Sequence, residues 1–177
     1  RDFMSSVTDV YPLELQHKVF YDKPKTEFEK KNPRPEPFSS DKLVVYGVDI
    51  GKTRNETVLY IAEVGEQKDI ENRTLDVRYK KEFPLGTEHG YIEDYIVEEL
   101  PKRFPNIRRG IIDATGVGAA IYEKVAKRVK KSRNPYPVID FTFSVKAKKE
   151  AVEFGVSAME HNKVRIKYSH RLEEEMT

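Results

Sequence analysis

The segment Leu43–Ile50, with the sequence LVVYGVDI, is a nearly unbroken run of β-branched and apolar residues. A run of this kind predicts a central strand that is buried on both faces. Asp49 stands at the carboxyl end of this strand, between glycines at positions 47 and 51. A carboxylate there is unfavourable unless it is paired, hydrogen-bonded or bound to a metal ion. The pattern indicates a functional aspartate, and the alternative is an aspartate that caps the following turn.

Two more strands are predicted directly after this one, at Glu56–Val64 and Arg73–Glu82. Short turns rich in polar residues and glycine separate the three segments, which favours an antiparallel meander. Because Arg73–Glu82 is more polar than the other two, we expect it to lie near an edge of the sheet.

Beyond the meander, helical and strand patterns alternate. Helical spacing marks residues 88–104, 117–131, 145–160 and the segment that starts at 171, whereas strands are predicted at 108–113, 137–143 and 163–166. Such β-α units require parallel strands joined by right-handed crossovers. The sequence therefore predicts an α/β fold of the RNase H-like type: a mixed sheet, with an antiparallel three-strand meander followed by parallel β-α units, flanked by helices.

The first 41 residues differ from the rest in composition. A short helix is expected within residues 1–21, and residues 22–41 are rich in proline and charge. We interpret residues 1–41 as a linker or an arm that precedes the domain, and residues 42–177 as the domain itself.

A second aspartate ends another apolar segment. Asp113 follows Ile111 and Ile112, and a glycine-rich turn then leads into a helix, which Asp113 or Thr115 could also cap. If this strand lies beside the first one and parallel to it, Asp113 and Asp49 emerge side by side. Close carboxylates repel each other unless cations neutralise them. We therefore predict a two-metal site, with Glu56 either an additional ligand or an exposed residue at a strand end.

Composition narrows the chemistry of this site. The chain contains no cysteine, which excludes disulfides, thiolate zinc sites and cysteine nucleophiles, and its four histidines have no His-x-x-x-His spacing. A metal site built from oxygen ligands suits Mg²⁺ or Mn²⁺. No apolar run approaches the roughly 18 residues of a membrane helix, and no signal peptide is visible, so we expect neither membrane insertion nor secretion.

Basic residues mark a possible contact with nucleic acid. The formal net charge is only +2, but residues 124–149 hold a basic block with a single acid, Asp140. Such a block fits a surface that faces phosphates, although a solvated helix face would have the same composition. The residues predicted to contact DNA are Lys52, Arg54, Lys146, Lys148 and Lys149.

Three strings carry a resemblance to a known family: GVDIGKTRNETVLYIAEV at 47–64, GIIDATGVGAAIYEKV at 110–125 and FSVKAKKEAVEFGVSAMEHNKVRIKYSHRLEEEM at 143–176. In order and spacing they resemble the C-terminal nuclease domain of large terminase subunits, the DNA-packaging motors of tailed bacteriophages and related archaeal viruses. The resemblance implies a metal-dependent endonuclease that cleaves double-stranded DNA during genome packaging. It makes Asp49 and Asp113 the first two metal-binding acids.

The resemblance also implies a setting. Residues 1–41 would join the nuclease to the terminase ATPase domain, and the portal and the small terminase subunit would be partners, in a packaging complex at the procapsid in the host cytoplasm. The family's third acid lies in a later helix, in an Asp-Asp pair that does not occur before Thr177. We therefore expect the domain to be truncated at its C-terminal end. The phosphate-binding G-x-x-x-x-G-K-[ST] motif of the motor does not occur in the sequence.

Three other functions remain as alternatives. An ATP-binding domain of the actin and sugar-kinase type also carries Asp-x-Gly after its first strand, but that fold requires two such domains. A Holliday-junction resolvase of the same fold would be expected to hold its full set of acids. A docking module without catalysis, with residues 1–41 as its binding arm, is the third.

Overall fold

The computed structural model describes residues 13–21, 23, 26–27, 40–51, 55–65 and 73–168. Its strands are β1 (Phe20–Tyr21), β2 (Val44–Asp49), β3 (Thr57–Val64), β4 (Leu75–Phe83), β5 (Ile107–Asp113), β6 (Val138–Phe141) and β7 (Val164–Lys167). Its helices are α1 (Leu13–Val19), α2 (His89–Asp94, continued by a π-helical stretch Tyr95–Glu99 and a last turn Leu100–Arg103), α3 (Gly118–Lys130) and α4 (Val145–Glu160). The helix predicted to start at 171 lies outside the described residues.

The seven strands form one mixed sheet in the order β1-β7-β4-β3-β2-β5-β6. Strands β2, β3 and β4 pair antiparallel as a meander. Strand β5 pairs parallel with β2, and β6 pairs parallel with β5. The predicted α/β fold, with a meander followed by parallel β-α units, is confirmed. Strand β2 lies in the interior of the sheet, as the apolar sequence LVVYGVDI predicts.

Strand β4, which we expected to lie near an edge, is third from one end of the sheet. Strand β7 pairs with it in parallel along Leu75–Val77, and β1 pairs in turn with β7. Within this paired part Asp76 accepts two hydrogen bonds from Arg165, and directly after it Arg78 donates to the buried Glu63.

The main core lies between one face of the sheet and the helices α2 and α3. Strand β2 contributes alternate residues to it, and both helices contribute one apolar stripe each. Fully buried members include Leu59, Phe83, Ile96, Phe104 and Val125. Burial of each such side chain stabilises the fold by about 1.5–3 kcal/mol, so this core holds β2 and β5 beside each other.

A second, smaller core lies at the side of the sheet formed by β1 and β7. Val19 and Met159 are buried there, with Phe20, Val164 and Ile166 packed against them. Part of the segment predicted as a linker or arm therefore packs on the domain through α1 and β1. Within the ranges that the structure describes, no helix has the length and apolarity needed to cross a membrane.

Candidate active site

Asp49 and Asp113 lie next to each other at the carboxyl ends of β2 and β5, and we call this side of the sheet the aspartate edge. Each is the last residue of its strand, and the preceding residues, Val48 and Ile112, are partners in the parallel pairing of β2 and β5. Neighbouring strands are about 4.8 Å apart, so the two backbones hold the aspartates in adjacent rows. Asp49 is exposed, whereas Asp113 is only 8% exposed. The predicted side-by-side arrangement of the strand ends is confirmed.

The turn after β5 orients Asp113. The backbone N–H of Thr115 donates a hydrogen bond to Asp113 Oδ1 at 2.8 Å, and the Thr115 hydroxyl accepts one from the N–H of Phe143 at 3.1 Å. The aspartate thus bonds the backbone two residues ahead, which is the geometry of an Asx turn. Helix α3 has no side-chain hydrogen bond at its N-terminal cap, Val117. Asp113 is therefore held by the turn, and it does not cap the helix.

Gly118 allows this turn to close tightly. A Cβ atom at this position would lie 1.8 Å from the carbonyl oxygen of Asp113. Only glycine permits so close an approach of two backbone segments. The first residue of α3 therefore lies directly against the backbone of Asp113, and the helix start fixes the end of the strand.

The turn after Asp49 is held from the next strand. The Gly51 N–H donates a hydrogen bond to Thr57 Oγ1 at 2.9 Å, and the Thr57 side chain is buried. A Cβ atom on Gly51 would lie 2.2 Å from the carbonyl oxygen of Asn55, so the turn is closely packed. Sequence reasoning missed Thr57, because its one signal is its place at a strand start. Lys52 and Arg54, predicted to contact DNA, lie outside the described residues.

Glu56 lies near this edge without completing a three-ligand site. It precedes β3 and is exposed, two residues before Val58, the partner of Asp49. Among the described residues, no three acidic, histidine or cysteine side chains form a group that could hold a metal ion. The metal-ligand role of Glu56 stays a prediction. Asp49 and Asp113 fit part of a metal site, since both offer the oxygen donors that Mg²⁺ and Mn²⁺ prefer.

The lysines Lys146, Lys148 and Lys149 lie at the start of α4, at the same edge. Strand β6 ends at Phe141, the partner of Asp113, and α4 begins four residues later. Ser144 caps this helix by accepting a hydrogen bond from the N–H of Ala147 at 3.1 Å. The three lysines are exposed, and positive charge at this edge can hold the phosphates of a nucleic acid.

These lysines have weak local partners. Lys146 and Lys149 each lie 3.7 Å from a glutamate one helical turn ahead, and the Lys148 amino group lies 5.7 Å from the centre of the Phe143 ring. Exposed pairs of this kind contribute little stability, typically below about 1 kcal/mol. The amino groups can therefore exchange these partners for phosphates.

The rest of the basic block does not share this edge, so residues 124–149 are divided between two ends of the sheet. Helix α3 starts beside Asp113 and runs away from it for 13 residues, about 20 Å. Two of its cations are tied to α2: Lys124 lies 3.1 Å from Glu93, and Arg128 lies 2.6 Å from Asp94. The hydrogen bond to Asp94 raises the pKa of Arg128.

Comparison with known proteins agrees with this architecture. No family model matches the sequence, and none of the curated proteins matches it. The structure is similar to the crystal structure of the HK97 bacteriophage large terminase, with a TM-score of 0.53 and 14% sequence identity. The match covers 77% of this chain and 32% of that one, so the chain spans about a third of that protein. This domain therefore has an RNase H-like α/β fold that it shares with part of a bacteriophage large terminase.

Proposed function

We propose that this domain is a metal-dependent endonuclease that cleaves double-stranded viral DNA during genome packaging. The observation that carries the proposal is the pairing of Val48 with Ile112, which places Asp49 and Asp113 at adjacent ends of parallel strands. The likeness to a bacteriophage large terminase supports it through the fold.

The two aspartates would hold Mg²⁺ or Mn²⁺. When bound, two such ions supply an activated water and stabilise the leaving oxygen of a phosphodiester. The chain's own contribution is positional. Thr115 and Gly118 hold Asp113 in one orientation, and Thr57 braces the turn that follows Asp49. A carboxylate pair held by two strands needs little rearrangement on binding a cation.

DNA would be held mainly through its phosphates. The lysines at the start of α4 lie at the same edge as the aspartates, and all three are exposed. Contacts of this kind position a duplex without reading its sequence, so cleavage should show low sequence specificity and a steep dependence on salt. Within this proposal the domain acts beside a terminase ATPase domain, the portal and the small terminase subunit, in the host cytoplasm.

Plasmid nicking and metal binding test the proposal together. Supercoiled plasmid is incubated with the chain and its variants Asp49→Asn and Asp113→Asn, in Mg²⁺, Mn²⁺ or EDTA. Asp94→Asn is the matched control, because Asp94 is an exposed aspartate on α2 that pairs with Arg128. We expect metal-dependent nicking that falls at least 100-fold in both site variants and is unchanged in the control.

Calorimetric titration with Mn²⁺ gives a second measurement that does not need turnover. We expect the unmodified chain and Asp94→Asn to bind Mn²⁺ equally, and both site variants to bind it more weakly. Equal Mn²⁺ affinity in all four proteins, together with no nicking, would refute the proposed function.

A further inference from the structure

A group of cations lies at the end of the sheet opposite the aspartates. The basic rim, as we name it, consists of Arg108, Arg109, Lys127, Lys130, Lys131 and Arg133, all of them exposed. It joins the start of β5, the end of α3 and the loop before β6. Since α3 spans about 20 Å from the aspartate edge, the rim is a separate surface from the lysines of α4.

Backbone contacts hold the parts of the rim together. The N–H of Gly110 donates a hydrogen bond to the carbonyl oxygen of Pro137 at 3.0 Å, which ties the start of β5 to the loop before β6. Lys130 lines a cleft of about 380 Å³ together with Pro135 and Pro137, which places the end of α3 against the same loop. These contacts bring the three segments that carry the cations to the same end of the sheet, although the cations are up to 25 positions apart in sequence.

A bulge exposes the two arginines. The pairing of β2 with β5 passes from Val44 opposite Ile107 to Val45 opposite Arg109, so Arg108 is an extra residue. Bulges commonly redirect a side chain at the rim of a sheet or beside a functional site. Here the bulge leaves two consecutive arginines exposed, whereas Ile107 and Gly110, the residues that flank them in the strand, are buried.

The charge of the rim is unbalanced. Neither 105–110 nor 125–138, the segments that form it, contains an acidic residue. Among the described residues, none of the six rim cations forms an ion pair with an acidic side chain. Lys124 and Arg128, by contrast, pair with acidic residues of α2. Lysines near the end of α3 do complement the helix dipole, but that does not account for Arg108, Arg109 or Arg133. Like charges at this density favour binding of a polyanion.

The composition of the rim favours DNA over an acidic protein. The segments 105–110 and 125–138 hold no exposed large hydrophobic residue, and Ile111 and Ile139, which pair just beyond them, are 42% and 38% exposed. Protein interfaces have an apolar centre and are depleted in lysine, whereas surfaces that bind DNA are far more positive.

We infer that the basic rim is a second binding surface for double-stranded DNA, and this inference rests on the proposed function for the identity of the polyanion. The rim holds phosphates on the order of 20 Å from the aspartates, a length of roughly six base pairs. It anchors the duplex and takes no part in cleavage.

The salt dependence of duplex binding tests the inference. Fluorescence anisotropy is measured with a labelled 30-base-pair duplex in EDTA, which prevents cleavage, between 50 and 300 mM salt. The rim variant carries Lys130→Gln, Lys131→Gln and Arg133→Gln, and a second variant carries Arg108→Gln and Arg109→Gln. The control carries Lys18→Gln, Lys80→Gln and Lys163→Gln, which remove the same charge outside the rim.

Each phosphate contact contributes about 0.9 to the slope of log K against log salt, so the triple rim variant should lose roughly 2.7 if all three residues contact DNA. The double variant should lose up to roughly 1.8, and the control should keep the original slope. Slopes of both rim variants equal to that of the control would overturn the inference. Metal-dependent nicking that persists in that case would leave the proposed function standing.

Discussion

Substitution of Gly118 by alanine should damage both the stability of the domain and its chemistry. The added Cβ would lie 1.8 Å from the Asp113 carbonyl oxygen, about 1.6 Å short of ordinary contact at 3.4 Å, and 2.9 Å from the carbonyl carbon. Both sides of this contact are backbone, so no rotamer change relieves it. Overpacking of this kind costs about 1–3 kcal/mol, and we expect the upper end.

The expected change is large enough to measure in two assays. For a domain of this size, a loss of about 3 kcal/mol lowers the midpoint of thermal unfolding by about 6–12 °C. A shift of the Asp113 carboxylate by about 1 Å would lower nicking about 100-fold. Circular dichroism measures the first effect, and the plasmid assay, run well below the lowered midpoint, measures the second.

Gly90→Ala is the matched control for this substitution. Gly90 lies in α2, and a Cβ atom there would meet nothing within 4 Å. Because alanine is favoured over glycine within a helix by about 0.5–1 kcal/mol, this variant should melt slightly higher than the unmodified chain. If Gly118→Ala melted within 2 °C of Gly90→Ala and nicked DNA equally well, the reasoning about the close approach would be refuted.

Two further predictions concern pH. Burial raises the pKa of Glu63, but hydrogen bonds from Ser40 and Arg78 lower it more, to below its ordinary value of 4.5. The contribution of Glu63 to stability is therefore present above pH 4.5 and is lost as pH falls through the folded-state pKa. Glu63→Gln should lower the free energy of unfolding at pH 7 by about 1–3 kcal/mol. In urea titrations at different pH values, the stability of this variant should also fall less steeply at acid pH, which is the acid limb of the stability profile. Burial, and to a smaller extent the neighbouring Tyr136, raises the pKa of Tyr46 well above 10.0. The stability of the domain should therefore fall as pH rises above 10.0, and it should fall less in Tyr46→Phe. Alkaline unfolding monitored by circular dichroism measures this difference. An unchanged acid limb in the first variant, or an unchanged alkaline limb in the second, would contradict these assignments.

The order of the elements follows from local signals in the sequence. The apolar run at Leu43–Ile50 and the short turns after it define the meander, because strand period and turn chemistry act over a few residues. The helical spacing at 145–160 matches α4 residue for residue. These features need no knowledge of distant contacts.

The sequence does not predict those features of the fold that depend on contacts between residues far apart in the chain. Asp76 in β4 is bonded to Arg165, a residue 89 positions away, and no local pattern marks this pairing. Strand β1 consists of only Phe20 and Tyr21, so it has no local strand pattern. It is a strand because it pairs with β7. Likewise, the basic block reads as continuous in sequence, and only the direction of α3 divides it between two ends of the sheet.

The candidate site could be predicted further than these elements, because two separate motifs point to it. Asp49 and Asp113 each end an apolar strand, and the parallel pairing of β2 with β5 joins them. What the sequence could not show is how the carboxylates are held. The bracing by Thr57 and the turn through Thr115 depend on contacts that no spacing pattern marks.

The place of the aspartates follows from the topology itself. From β2 the chain turns back antiparallel into β3, whereas from β5 it crosses through α3 to β6 on the other side. The two connections leave the same edge in opposite directions, which makes the boundary between β2 and β5 a topological switch point. In open α/β sheets, ligands bind at the carboxyl ends of strands where such connections diverge. Asp49 and Asp113 are the residues that end these two strands, so both carboxylates lie where such ligands bind. This divergence is the reason that we assign chemistry to the aspartate edge, whereas the basic rim, which lies at the other end of β5, is assigned to binding.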